Sequence, residues 1–213
     1  MNIIVVYDDT KNKSEAITDI IGDKGFSDVV IKKKRLEDYY RTEIEKIYSN
    51  IIWKKIHSVF EYQNLIKEIE MYVGTSVRII HCFSNFFISN GEKAALAFKK
   101  LEYIDGTYSA MQNRKPAAVM FNDVNAYVLF CKNIISGQKA WEIAKQEKNF
   151  FEIDGLIDVG VVGNFIQCIT GNYDSRYFNS LVGNEYTIEK KSSNIKKIKA
   201  EYTFYHLLPE EMK

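Results

Sequence analysis

The chain predicts a three-layer α/β fold on a mostly parallel sheet, followed by a C-terminal β-hairpin plus helix. Three observations predict it. Ile3 to Tyr7 is a short continuous apolar run, the form of a strand buried on both faces of a parallel sheet. A helical pattern and a second apolar run, Val29-Val30-Ile31, follow it, which makes a β-α-β opening. Near residue 160 an apolar run ends in Asp158, Gly160 follows, and a helical pattern takes over. In an α/β protein that is a strand end, a tight turn and a helix start, where ligands usually sit.

The elements follow in order. The first strand stops at Asp8-Asp9-Thr10, and Ser14 is placed to cap a helix with Ala16, Ile17, Ile20 and Ile21 on one face. Gly22 and Gly25 close it. Lys32 to Arg35 is a basic run, read as a solvated strand end rather than a phosphate contact. A helix is expected over Leu36 to Tyr48, a strand from Ile51, and a helix over Val59 to Tyr72 ended by Gly74. Val77 to Phe83 is a strong strand, with His81 and Cys82 on opposite faces of it. Glu92 to Ile104 is an amphipathic helix. Tyr108–Met111 and Ala117–Phe121 form a hairpin around Asn113-Arg114-Lys115-Pro116. Asn122 is placed to cap a helix through Asn133, and Ser136 another to Lys148. Phe151 to Val159 reads as the last core strand and Val161 to Ile169 as the last core helix. Composition changes at Gly171-Asn172. A hairpin over Arg176 to Lys190 and a helix over Ile195 to Leu208 are expected beyond it. The domain boundary is therefore set at 1–170 and 171–213.

Composition narrows the function. The 213 residues are 46% hydrophobic, enough for one full domain with a buried core. The 29 Lys+Arg and 28 Asp+Glu nearly cancel, which gives no general case for a nucleic-acid or membrane partner. No apolar run approaches the ~20 residues needed to span a bilayer. Cys82, Cys131 and Cys168 are an odd set inside apolar stretches, so reduced thiols in a cytoplasmic protein are expected.

The stretch Leu156-Ile157-Asp158-Val159-Gly160 resembles the closing motif of sugar-phosphate nucleotidyltransferases, where a strand delivers a metal-binding aspartate before an Asp-x-Gly turn. The resemblance implies the nucleotide-diphospho-sugar transferase fold, with Asp158 as a catalytic Mg²⁺ ligand bridging to phosphates. The residues alone leave a second reading open, an aspartate whose oxygen caps the next helix. The family's first-strand loop is glycine-rich and carries an arginine. Here it is Asp8-Asp9-Thr10-Lys11-Asn12-Lys13-Ser14, with neither. Asp8, Asp9 and Lys11 are its candidate cofactor-binding residues, and Lys13 a candidate catalytic one. The family also places a metal-binding aspartate after the central strand. Here Ser84 and Asn85 stand there, able to hydrogen-bond a ligand but weak as Mg²⁺ ligands.

Glu185 to Ser193 and Lys199 to Pro209 resemble the start of the small lobe of aminoglycoside-phosphotransferase-like kinases. The resemblance implies that Lys190 or Lys191 holds ATP phosphates and pairs with Glu201. The lobe carrying the catalytic aspartate is missing, so a downstream kinase-like domain is expected in a longer protein. The plainer reading is a hairpin and helix packed on the first domain. Together the resemblances imply a nucleotidyltransferase-like protein of bacterial capsule or surface-polysaccharide synthesis. It would act on a nucleotide or nucleotide-sugar, transferring a nucleotidyl group to a sugar phosphate or small alcohol phosphate. The glycine-free loop leaves a degenerate domain open. Two alternatives are a non-catalytic nucleotide-sugar-binding or scaffold domain, and a glycosyltransferase on the same fold.

Overall fold

The computed structural model describes residues 2–170 except Lys32; the hairpin and helix expected over 171–213 lie outside them. The first strand, β1 (Asn2–Asp8), is buried from Ile3 onward. After the loop come α1 (Glu15–Ile21), capped by Ser14 Oγ, and a 3-10 turn at Phe26–Asp28. Among the described strands, β2 (Val30–Ile31) and β3 (Lys34–Arg35) pair only with each other. The expected second strand of the main sheet is thus a two-residue hairpin. It is too short to cross the sheet, and it covers a separate apolar cluster around Phe26, Phe87 and Phe165. Lys34 and Arg35 are exposed on it.

The partner of β1 arrives later. α2 (Leu36–Glu45) leads to β4 (Ile51–Ile56), which runs parallel to β1 with Val5 beside Trp53. α3 (Glu61–Glu70) leads to β5 (Val77–Phe83), parallel to the other edge of β1. β6 (Phe86–Ile88) and α4 (Gly91–Lys99) follow. β7 (Thr107–Gln112) and β8 (Lys115–Phe121) form the expected hairpin. Its two-residue tip, Asn113-Arg114, has φ of +50° and +63°. That conformation matches the twist of the strands it joins. α5 (Val124–Ile135) is capped by Asp123, not Asn122, and α6 (Ala140–Gln146) starts three residues later than a cap at Ser136 suggests.

The sheet has six strands in the order β4-β1-β5-β8-β7-β9, where β9 is Phe150–Glu152. Among the described strands of this sheet, β8 alone runs against the rest. The sheet is therefore mixed α/β and mostly parallel, as predicted. The single expected strand over Phe151–Val159 is in fact two. β9 joins the main sheet, and β10 (Leu156–Asp158) turns away to pair antiparallel with β6. Gly155, at φ +82°, makes the break. α7 (Val162–Thr170) closes the described chain.

Helices cover both faces. Tyr40 of α2 meets Tyr7 at 5.4 Å and Phe98 of α4 at 6.0 Å on one face. On the other, His81 lies among Tyr62 of α3, Tyr127 and Phe130 of α5, and Phe83, with ring centroids 5.1–6.2 Å apart. Such aromatic pairs contribute about 0.5–1.5 kcal/mol each beyond their buried area. His81 and Cys82 are both fully buried and face opposite ways, as strand alternation predicts. The three cysteines are buried. Burial pushes the Cys82 and Cys131 thiols up, Cys131 to about 12, so neither ionises readily. Among the described residues no helix is long and apolar enough to cross a membrane.

Candidate functional site

The chain runs from β1 to β4 on one side and then to β5 on the other, with α2 and α3 on opposite faces. Strand order reverses at β1, which opens a crevice at the carboxyl ends of β1 and β5. Asp8 ends β1 inside it, and Asp9 follows. Parallel register puts Val6 beside His81 and Asp8 beside Phe83, so Asp8 and His81 share a face. His81 Nε2 lies 3.1 Å from Asp8 Oδ2, and His81 Nδ1 lies 3.0 Å from the Tyr127 hydroxyl. Tyr62 donates its hydroxyl to Asp8 Oδ2, and Thr10 N–H donates to Oδ1. Burial works to raise the Asp8 pKa. The His81 hydrogen bond and charge, with Thr10, outweigh it and hold the carboxyl below its ordinary value.

Asp9 faces the other way. It accepts from Phe26 N–H, from Ser27 N–H and Oγ, and from Ser84 Oγ at 2.7 Å. A side chain on Gly25 would run into this carboxylate, so the close approach requires glycine there. Both aspartates are thus structural ties beneath the crevice.

Asp158 stands beside them, 8% exposed. Its Oδ1 accepts from Asn85 Nδ2 at 2.7 Å and from Gly160 N–H at 2.9 Å. Its Oδ2 pairs with Lys115 Nζ at 2.7 Å. Asn164 donates to the Asp158 carbonyl, and Val159 N–H donates to the Asn85 carbonyl. The two positions that the family resemblance makes metal ligands therefore do meet in space. They meet as amide and carboxylate, hydrogen-bonded to each other. Asn85 Oδ1 is buried without a partner among the described residues.

Lys11 lies half-buried near this pair. Burial lowers its pKa, Asp158 works to raise it, and Lys115 adds to the lowering. Lys11 makes no hydrogen bond or ion pair among the described residues. A desolvated cation without a partner destabilises a fold, so Lys11→Met is expected to stabilise the protein by about 0.5–1 kcal/mol. Denaturant melts check this; a loss of stability would mean that Lys11 is held by the fold.

The predicted residues divide clearly. Asp8, Asp9, Lys11, Ser84, Asn85 and Asp158 all gather at the carboxyl edge. Ser84 and Asn85 are fully buried and spend their polar groups on Asp9 and Asp158. Lys13 donates to the Gly22 and Lys24 carbonyls, tying the loop to the end of α1, because those carbonyls have no helical partner. Lys190, Lys191 and Glu201 lie outside the described residues. Sequence reading missed Lys115 and the Asp8–His81 contact. Alternation along two adjacent parallel strands was the available signal for the contact. Nothing local marked Lys115, which reads as a turn residue until β8 is seated beside β5.

The donor set does not fit Mg²⁺ as it stands. The ion takes near-octahedral oxygen ligands, usually one or two carboxylates plus phosphates. Asp158 is the one carboxylate at hand that meets Asn85, and an ammonium and two N–H groups occupy its oxygens. Among the described residues no group of three or more Asp, Glu, His or Cys is arranged to hold a metal.

Two cavities flank the loop at Thr10–Asn12. One, about 430 Å³, runs from Asp8 and Lys11 to an apolar wall of Phe83, Ile134 and Trp141. The other, about 320 Å³, lies between Lys13, Phe26 and His57.

No protein family matches the sequence, and no curated protein matches it. Among solved structures, the CTP:phosphocholine cytidylyltransferase LicC of Streptococcus pneumoniae aligns with TM-score 0.46 and 9% identity, over 78% of this chain and 96% of its own. A protein assigned as a glucose-1-phosphate thymidylyltransferase from Bacillus anthracis, solved with sucrose, aligns with TM-score 0.46 and 10% identity, over 90% and 98%. A protein assigned as a nucleotide-diphospho-sugar transferase from Desulfovibrio desulfuricans aligns with TM-score 0.44 and 10% identity, over 94% and 97%. At this identity the likeness concerns shape and not chemistry.

Proposed function

We propose that the carboxyl edge binds a nucleotide or nucleotide-sugar through its phosphates, in a nucleotidyltransferase-like domain. One observation carries the reading: at one carboxyl edge Lys115 Nζ pairs with Asp158 at 2.7 Å, and Lys11 lines the 430 Å³ cavity. Two ammonium groups against one carboxylate leave a surplus positive charge, and phosphate is its natural complement. The apolar wall with Trp141 suits a planar ring attached to that phosphate.

The reaction fitting such a ligand is nucleotidyl transfer. An oxygen of a sugar phosphate or alcohol phosphate forms a bond to the α-phosphorus. The bond from that phosphorus to the bridging oxygen breaks, and pyrophosphate leaves with the electron pair. The lysines would neutralise the charge that builds on the phosphates, since positioning and electrostatics dominate this chemistry. A role in capsule or surface-polysaccharide synthesis rests on the sequence resemblance alone.

A specific observation favours a second reading, a domain that binds the nucleotide without turning it over. Asp8, Asp9 and Asp158 all spend their carboxylates on protein donors. Calorimetric titration with CTP and UDP-sugars tests binding, and Lys11→Ala is expected to weaken it about tenfold, ~1.4 kcal/mol. Pyrophosphate release from NTP and a sugar phosphate separates the transferase from the binder. Absence of heat with every nucleotide would sink both.

A further inference from the structure

We infer that phosphate binding at this edge does not depend on a divalent metal, because the Lys115 ammonium occupies the position on Asp158 that a metal would need. The inference rests on the nucleotide reading above and specifies how that site handles charge.

A magnesium ion bound to Asp158 would need one of its oxygens at about 2.0–2.1 Å. Oδ2 already holds the Lys115 ammonium at 2.7 Å, and Oδ1 holds two N–H donors. A cation brought to either oxygen would sit against Lys115. The second ligand position is no help. Asn85 turns its NH₂ to Asp158, and an amide brings no negative charge to offset a divalent ion.

The remaining acids of the crevice are no reserve. Asp8 is held by His81, Tyr62 and Thr10, and Asp9 by Phe26, Ser27 and Ser84. Freeing either one would undo the end of β1. Lys115, by contrast, is about half exposed, so its remaining N–H donors can reach a ligand while one stays on Asp158. Lys11 needs no rearrangement among the described residues, where it has no hydrogen bond or ion pair to give up. The two ammonium groups thus supply the positive charge, and Asp158 aims Lys115.

The test is titration of the whole chain with CTP and with inorganic pyrophosphate, in EDTA and in Mg²⁺ at equal ionic strength. Affinity in EDTA is expected to match or slightly exceed that in Mg²⁺, because Mg²⁺ taken up by the phosphates lowers their charge. Lys115→Ala is expected to weaken binding in EDTA about tenfold. Asp158→Asn is expected to hold or tighten it, since the site then carries one more net positive charge. Lys115→Arg is expected to keep most of the affinity. Should Lys115→Ala fail to fold, Lys11→Ala reads the same charge effect from an unpaired residue. Tenfold tighter binding in Mg²⁺, abolished by Asp158→Asn, overturns the inference and leaves the nucleotide reading standing. Unchanged affinity in Lys115→Ala or Lys11→Ala also overturns it. Silence from both probes under both conditions overturns it together with the nucleotide reading.

Discussion

Asp8→Ala is expected to cost about 3–5 kcal/mol of folding stability, among the largest effects of any single change in the chain. The carboxylate is almost fully buried, and three donors converge on it: His81, Tyr62 and the Thr10 N–H. Removing it strands the buried His81 and Tyr62 groups between β5, α3 and α5 and frees the Thr10 N–H of the loop. The loss includes more than hydrogen bonds. Asp8 anchors His81, whose ring packs against Phe83, Tyr127 and Phe130. Urea melts of the wild type and the variant measure the cost. A change under 1 kcal/mol would mean that the network is not made in solution.

The same residue sets a pH dependence. Asp8 has its folded-state pKa held below the ordinary 3.8 of an aspartate. A depressed carboxylate contributes stability that is present above the unfolded pKa and lost as pH falls through the folded one. Stability should therefore fall as pH drops below about 4. Asp8→Asn should flatten that part of the profile while lowering stability at neutral pH. A parallel acid profile in the two proteins would remove Asp8 from the account.

Gly155→Ala is the second large effect, about 3 kcal/mol of lost stability with loss of any phosphate binding at the edge. At φ +82° an added Cβ would sit 2.5 Å from the Asn90 carbonyl oxygen. That oxygen is backbone and cannot swing aside. Ser89 and Asn90 N–H groups both donate to the Gly155 carbonyl, so the turn is tied from two directions. Any shift passes along β10 to Asp158, three residues on. Gly74→Ala is the control: its φ is +79°, but its Cβ would meet nothing within 4 Å. It should cost only the left-handed conformation, about 1 kcal/mol. Equal losses in the two variants would show that the close approach to Asn90 contributes nothing.

Much of this fold is legible in the sequence. The Ile3–Tyr7 and Val77–Phe83 runs are apolar on consecutive residues, which suits strands with helices on both faces, and both are central. The apolar spacing of α3, with Tyr62, Ile66 and Ile69 buried, follows the helical period. Val59, where the helix was expected to start, precedes α3 and is 43% exposed. Errors fell where a short run had to choose a partner. Val29–Ile31 looked like a sheet strand and became half of a small hairpin. Phe151–Val159 looked like one strand and was divided by Gly155 between two sheets. Two or three apolar residues carry no information about which edge they will pair with.

The site divides along the same line. Local pattern placed Asp8, Asp9 and Asp158 at strand ends, because an apolar run that stops at an acid must leave the core there. Which oxygens stay free is a different matter, settled by groups remote in the chain: His81 for Asp8, Ser84 for Asp9, Lys115 for Asp158. Those pairings depend on strand order and register, and on β8 lying against β5. They are set only when the sheet closes, since charge and hydrogen-bond partners are chosen by distance in space and not by separation along the chain.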